Sequence, residues 1–330
     1  MLSDLSREKR VNHAADEKIR IGISQCLLGD RVRFDGNHKH DRYITDTLGQ
    51  FFEFVPVCPE VAVGLGIPRE PIRLEGDVHA PRAVGVRDRS IDPTASLLRY
   101  GRQTARDLHD ISGYILKSKS PSCGMERVKV YHAGGGGSSS KGVGLFVAGF
   151  RERQPLLPME EEGRLCDPVL RENFIERVFA YRRWQELVAS RLTAAKLVQF
   201  HADHKLSLMA HGAAPLKALG QIVATAGKGP LGALAAAYHA GFMAAMTRRA
   251  TRKRHTNVLQ HMAGYLKKAL DAGDRAELQT VIDEYRLGQV PLVVPLTLLK
   301  HHFRRFPDPY IARQVYLNPH PKELVLRNAL

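Results

Sequence analysis

The spacing of apolar and polar positions changes character midway along the chain. In the first half, residues 20–24, 51–57, 113–117, 128–131 and 145–150 carry the short, dense apolar runs of strands. Between the second and third of these, residues 93–109 (PTASLLRYGRQTARDLH) read as a helix, with Asp92 as N-cap and Pro93 in the first turn. Strands alternating with a helix predict a parallel sheet of Rossmann-like kind. Residues 133–141 (AGGGGSSSK) read as a flexible loop. A phosphate cradle is the other reading, but the Lys-Ser/Thr ending of a P-loop is missing.

From Leu165 onward helical periods dominate. Asp167 and Pro168 open a helix that sets Leu170, Phe174 and Val178 four apart on one face. Further helices are predicted over 191–211, 213–225, 230–246, 251–271 and 275–287, after which Pro291 and Pro295 break the pattern ahead of 297–303. The expected fold class is α/β plus all-α. A flexible tail (1–18) precedes a Rossmann-like parallel-sheet domain (19–160), and a helical domain (161–330) follows. The polar, proline-bearing stretch 151–163 (RERQPLLPMEEEG) marks the border.

Composition adds limits. With 44% apolar and 25% charged residues the chain reads as folded and soluble throughout. No apolar run approaches the ~18 residues of a membrane span. Residues 1–18 lack the apolar segment of a secretory signal. A cytoplasmic, reducing location is therefore expected, where cysteines persist as metal ligands or nucleophiles. The four cysteines are widely spaced, which argues against a disulfide framework. Lysine and arginine total 49 against 34 acidic residues, a net charge of +15. Such a surplus favours polyanionic partners through counterion release, unless it is only a solvated basic surface. No protein partner is called for.

Cys26, Cys58 and Cys123 each follow a predicted strand, and ligand sites in open α/β sheets lie at the carboxyl ends of strands. Their separations are too wide for a zinc knuckle, and no Cys-x-x-Cys occurs. Small buried hydrophobes are the competing reading. The flanks favour ligands: Gly, Pro and Ser open the turns and aim backbone N–H groups at sulfur. Cys166 lies in a charged linker and reads as a non-ligand.

Cys26-Leu-Leu-Gly29, Arg33-Phe-Asp-Gly36, Val57-Cys-Pro-Glu60, Gly64-Leu-Gly-Ile-Pro-Arg69 and Lys117-Ser-Lys-Ser-Pro-Ser-Cys-Gly124 together resemble the thiouracil desulfidase family, formerly DUF523, over residues 20–150. His204-Lys-Leu-Ser-Leu-Met-Ala-His211, residues 251–261 and 291–300, and Gln314-Val-Tyr resemble the helical DUF1722 (YbgA-like) domain. The fusion of the two is similar to tRNA 4-thiouridine desulfidases. The resemblance implies a [4Fe-4S] cluster on Cys26, Cys58 and Cys123, with one iron left open for the thiocarbonyl sulfur of the substrate. Water then attacks the ring carbon, the C–S bond breaks, and no net electron transfer is needed. Glu60 is the candidate base, a surface or structural carboxylate being the alternative. Ser118, Ser120 and Ser122 are candidates for proton relay, at least one of them a turn former. Arg33 and Asp35 are candidates for holding the pyrimidine edge, although Asp35-Gly36 also makes a turn.

Arg248, Arg249, Arg252, Lys253 and Arg254 crowd a predicted helix start, where cations oppose the macrodipole. Contact with the phosphates of tRNA is the functional reading, a solvated face the alternative. Tyr265, Phe303 and Tyr310 are candidates for stacking bases, or core residues. The histidines do not form a zincin pattern; Asn257 and Gln260 read as a buried network with His255 or as RNA contacts. Desulfuration of free thiouracil, and a cluster-bearing RNA-binding redox sensor, are the competing functions.

Overall fold

The run IRIGIS forms strand β1 (Ile19–Ser24), with Ile21 and Ile23 wholly buried. Burial on both faces marks a central strand of a parallel sheet. In this computed structural model, which describes residues 18–328, β1 lies between β2 (Phe52–Val57) and β5 (Tyr114–Leu116), and β8 (Met159–Glu161) completes the order β2-β1-β5-β8. All three pairings are parallel. The tail expected over 1–18 lies outside the described residues except for Lys18. Gly22 is required in β1: a Cβ there would sit 2.5 Å from the Tyr114 ring.

A second sheet, ordered β4-β3-β6-β7, was not foreseen. It comprises β3 (Ile72–Asp77), β4 (Ala80–Gly85), β6 (Val128–Tyr131) and β7 (Ser138–Gly142). Part of the stretch expected to be flexible loop is thus β7, paired antiparallel with β6. Ile72, Leu74, Val128 and Val130 pack on Leu97 of helix α1 (Thr94–Asp107).

Residues 145–150, read as a strand, instead form helix α2 (Leu145–Arg151). The reason is its contact with α1. A Cβ on Gly101 would lie 2.2 Å from the Phe146 carbonyl oxygen, and one on Gly149 2.2 Å from that of Leu98. The two backbones therefore touch at reciprocal glycines, an approach open only to residues without side chains. Phe146 and Phe150 are free to pack against Tyr114. Tertiary packing overrides the β propensity of LFVAGF.

The border between two compact units falls between Gly163 and Arg164. In the second unit the helices are α3 (Pro168–Ala189), α4 (Ala194–Asp203), α5 (Lys205–His211), α6 (Ala213–Ala224), α7 (Leu231–Met246), α8 (Arg252–Tyr265), α9 (Ala272–Leu287) and α10 (Val293–Arg305). Asp167 caps α3 by accepting from Val169 N and Leu170 N. The single helix expected over 191–211 is divided at His204. Gln314 reaches in, donating to Ala202 O at 2.8 Å and accepting from Leu206 N at 3.2 Å. Helix α8 stops well short of 271. Pro295 does not break α10 but sits in its first turn, where its missing N–H costs nothing.

Candidate active site

Pairing register gathers the strand ends. Ser24 lies opposite Val57, and Leu116 opposite Glu161. The residues just beyond them emerge at one carboxyl edge: Cys26 in a 3-10 turn, Cys58 directly after β2, Lys117 and Ser118 after β5, and Glu162 after β8. Lys117 N donates to Ser24 Oγ at 2.9 Å, which ties two of these ends together.

The three cysteines line one cavity of about 350 Å³, walled also by Ser24, Arg33, Phe34, Lys39, Glu60, Arg69, Lys117, Ser118, Lys119 and Ser120. All are free thiols, and Cys166, exposed, is not among the lining residues. Burial pushes the Cys26 thiol up to about 11, against the pull of Arg33. Burial likewise raises Cys58, opposed by backbone N–H groups of Val61 and Glu60 that point at its sulfur. Cys123 is raised by burial, with the Ser24 hydroxyl working the other way. Burial thus favours the neutral thiol at all three, and a bound cation would favour the thiolate.

Glu60 stands in the cavity wall with both oxygens engaged. Arg69 grips Oε2 with Nε at 2.9 Å and Nη2 at 2.8 Å, and Ser122 Oγ donates to Oε1 at 2.9 Å. Arg69 also donates to the carbonyls of Val32 and Gly66. Ser122 is wholly buried and does not line the cavity, so it orients Glu60 from behind. Ser120 Oγ accepts from Ser122 N and Cys123 N and shapes the turn that presents Cys123. Ser118 faces the cavity and bonds Lys117 and Glu162.

The sequence has relatives. Residues 21–162 match the family model for 2-thiouracil desulfurase, and residues 205–321 match DUF1722, a protein of unknown function. An uncharacterized protein of Bacillus subtilis (strain 168), YbbK, is 31% identical over 134 residues, 39% of this chain and 87% of its own length. A solved structure described as a [4Fe-4S]-dependent thiouracil desulfidase, TudS, is 33% identical, with 46% of this chain and 95% of that one covered at a TM-score of 0.37. The chain belongs to the 2-thiouracil desulfurase family. Its other half has relatives as well: uncharacterized YbgA of Escherichia coli (strain K12) is 31% identical over 154 residues, 46% of this chain and 91% of YbgA.

Against the family frame, some expected site residues are placed elsewhere. Asp35 is exposed and absent from the cavity wall; its Oδ1 accepts from Asn37 N at 3.1 Å, and Gly36 takes a φ of 71°. It is a turn former. Arg33 does line the cavity, its guanidinium 5.4 Å from the centre of the Phe34 ring. Phe34, Arg69 and Lys117, in the wall and inside quoted motifs, carry no role in the sequence reading, and Glu162, just behind the wall, is read there as linker.

In the helical unit, the five basic residues divide. Arg248, Arg249, Arg252 and Lys253 are exposed and Arg254 is half-buried, but two of the five are tied to carbonyls. Arg252 donates to Tyr285 O at 2.6 Å and lies 4.7 Å over its ring, and Arg254 donates to His211 O at 3.2 Å. These carbonyls belong to the last turns of α9 and α5. Both arginines therefore complement the negative ends of neighbouring helices, a structural role that the sequence reading, which weighed phosphate contact against a solvated face, did not consider. Tyr265 stacks on Tyr310 with ring centres 5.7 Å apart, and Phe303 packs on the core. Asn257 and Gln260 are exposed, not part of a buried network. His211 bonds Glu176 at 3.2 Å through Nε2 and the Arg248 carbonyl through Nδ1, both side chains buried. No helix among the described residues is long and apolar enough to cross a membrane.

Proposed function

We propose that this chain hydrolyses the C–S bond of a thiolated uracil held in the N-terminal cavity, and that its substrate is 4-thiouridine in tRNA. The observation that carries the reading is the meeting of three free thiols, Cys26 and Cys123 buried and Cys58 half-buried, from three separate strand ends, with the Glu60 carboxylate in one cavity wall. The donor set fits a [4Fe-4S] cluster. Cys26, Cys58 and Cys123 supply soft sulfur ligands. Among the described residues no three His, Cys, Asp or Glu side chains are gathered to hold a metal ion. All three thiols line the same cavity.

Bound there, the cluster supplies a soft Lewis acid that draws a thiocarbonyl sulfur and withdraws charge from the ring. The protein's residues do the rest. Phe34, 37% exposed at the cavity, offers a face to a pyrimidine pulled from its stack, with Arg33 beside it. Glu60, gripped by Arg69 and aimed by Ser122, takes a proton from the water that attacks the ring carbon. Lys39 and Lys119 add positive charge to the wall and suit a phosphate-bearing substrate.

The tRNA part of the reading is supported by the net charge of +15 and by Arg248, Arg249 and Lys253 on the helical unit, the first two lining an open cleft of about 510 Å³. Anaerobic incubation of the iron-loaded protein with thiolated tRNA and, separately, with free thiouracil tests it by sulfide release. Turnover of tRNA well above that of the free base is expected. Turnover of the free base alone would replace tRNA by a small molecule, and sulfide from neither would overturn the desulfidase reading.

A further inference from the structure

Hydrolysis of a thiocarbonyl requires two proton movements. Water must lose a proton as the C–O bond forms, and sulfur must gain one as the C–S bond breaks. Glu60 accounts for the first. It cannot serve the second at the same moment, because a carboxylate that accepts from Arg69 and Ser122 carries no hydrogen to give.

A second charged group stands at the same cavity. Lys117 and Ser118 are in its wall, and Glu162 lies behind them. The Lys117 ammonium pairs with Glu162 Oε1 and donates to Ser118 Oγ at 2.9 Å and to Ser118 O at 3.2 Å, which uses all three of its hydrogens. Ser118 Oγ is 2.8 Å from Glu162 Oε1, and Ser118 N donates to Glu162 Oε2 at 2.7 Å. The ion pair is only 17% and 14% exposed. Of the hydrogens in this cluster, that of the Ser118 hydroxyl can turn into the cavity without breaking a bond to the ammonium. Glu162 then still holds Lys117 through Oε1 and the Ser118 backbone through Oε2.

We infer that Lys117 and Ser118, braced by Glu162, form the proton donor to the departing sulfur. Resting on the desulfidase reading above, this assigns the two proton movements to separate groups. Water adds to the ring carbon and gives one proton to Glu60. The Ser118 hydroxyl gives its hydrogen to sulfur and takes one from the Lys117 ammonium. The carbon–sulfur bond breaks as the carbonyl re-forms, the second water proton passing to solvent, to which Glu60 also returns the first. Sulfur leaves as hydrosulfide, and Lys117 regains a proton from solvent. The sum is thiocarbonyl plus water giving carbonyl, hydrosulfide and a proton, with no oxidant or reductant. Lys117 and Ser118 are catalytic residues in this scheme, and Glu162 is a positioning residue.

The test uses the iron-loaded full chain with 4-thiouridine as substrate. Lys117→Gln, Ser118→Ala and Glu162→Gln are compared with unaltered protein for kcat, KM, iron per chain and binding of uridine by calorimetry. Expected are losses in kcat of about a hundredfold for Lys117→Gln and Ser118→Ala, the usual scale of general acid catalysis. Iron content, uridine binding and KM should stay near their starting values. Added methylamine should restore Lys117→Gln in proportion to its concentration and leave Ser118→Ala unchanged, and Glu162→Asp should recover part of what Glu162→Gln loses. A Ser118→Ala protein that keeps iron and full kcat overturns the assignment while leaving the desulfidase reading in place. Parallel loss of iron and uridine binding in all three variants also overturns it, reducing the cluster to a structural brace. No sulfide from unaltered protein overturns both.

Discussion

Replacing Arg69 by Leu should be among the most damaging single changes near the cavity. Arg69 is 5% exposed, and its partner Glu60 14%. Four hydrogen bonds are lost together: two to Glu60 Oε2, one to Val32 O and one to Gly66 O. Two carbonyls and a nearly buried carboxylate are left without their donor. Removing one partner of a buried pair costs roughly 3–5 kcal/mol, and the low exposure leaves little room for solvent screening. Arg69→Lys keeps the charge but loses the planar fork, and should cost about half as much. Adding Glu60→Gln to Arg69→Leu removes the stranded charge, so the double variant should be more stable than the sum of the single changes by about 1–3 kcal/mol. Urea unfolding of metal-free protein, followed by far-ultraviolet circular dichroism, measures all three without a contribution from ligand binding. A loss below about 1 kcal/mol for Arg69→Leu, or strict additivity in the pair, would refute the view that Arg69 holds Glu60 in the wall.

Cys58→Ser should abolish iron loading on anaerobic reconstitution, and Cys166→Ser should leave it intact; equal loss in both would make Cys166 a ligand. Arg248, Arg249 and Lys253 changed together to Glu should weaken tRNA binding and flatten its dependence on salt. The fold should hold, since Arg252 and Arg254 keep their carbonyl partners; unchanged binding would leave the charge a solvated face. The Glu176–His211 pair gives a pH signature. Although burial opposes both charges, His211 holds Glu176 down at about 2, and Glu176 raises His211. Its stabilisation is therefore present from about pH 5 up to the usual histidine value. It fades as pH falls toward the lowered Glu176 value and as pH rises through the raised His211 value. Glu176→Gln should thus cost about 3 kcal/mol near pH 6 and clearly less at pH 9; a cost that does not vary with pH would mean that the pair is not charged.

The parts of this molecule that local patterns encode were readable in advance. β1, β2 and β5 announce themselves by short apolar runs, and the cysteines that follow them stand in turn-forming Gly, Pro and Ser motifs. β3, β4 and β8 escape notice because IRLEGD, APRAVG and MEE mix charge or proline into brief strands. Helix α2 is misread because its identity rests on a glycine of α1 more than forty residues away. The roles of Arg252 and Arg254 are hidden for the same reason: the carbonyls they serve lie 33 and 43 residues off in sequence. Asp35-Gly36 shows the opposite case, in which a plain turn signal was the better guide.

Strand β8 has a practical bearing on how the chain can be cut. Glu162 holds the entrance of the segment that carries Ser118, Ser120, Ser122 and Cys123. Glu161 holds its exit, accepting from Met125 N at 2.8 Å and Glu126 N at 3.4 Å. Two neighbouring carboxylates thus staple both ends of a segment that lies some forty residues earlier in the chain. An N-terminal fragment ended at residue 160, at the border the sequence suggests, keeps every cysteine ligand yet discards both staples. Two residues more restore them. Fragments ending at 160 and at 162 should accordingly differ in protease resistance across residues 117–126, although both contain the complete set of thiols.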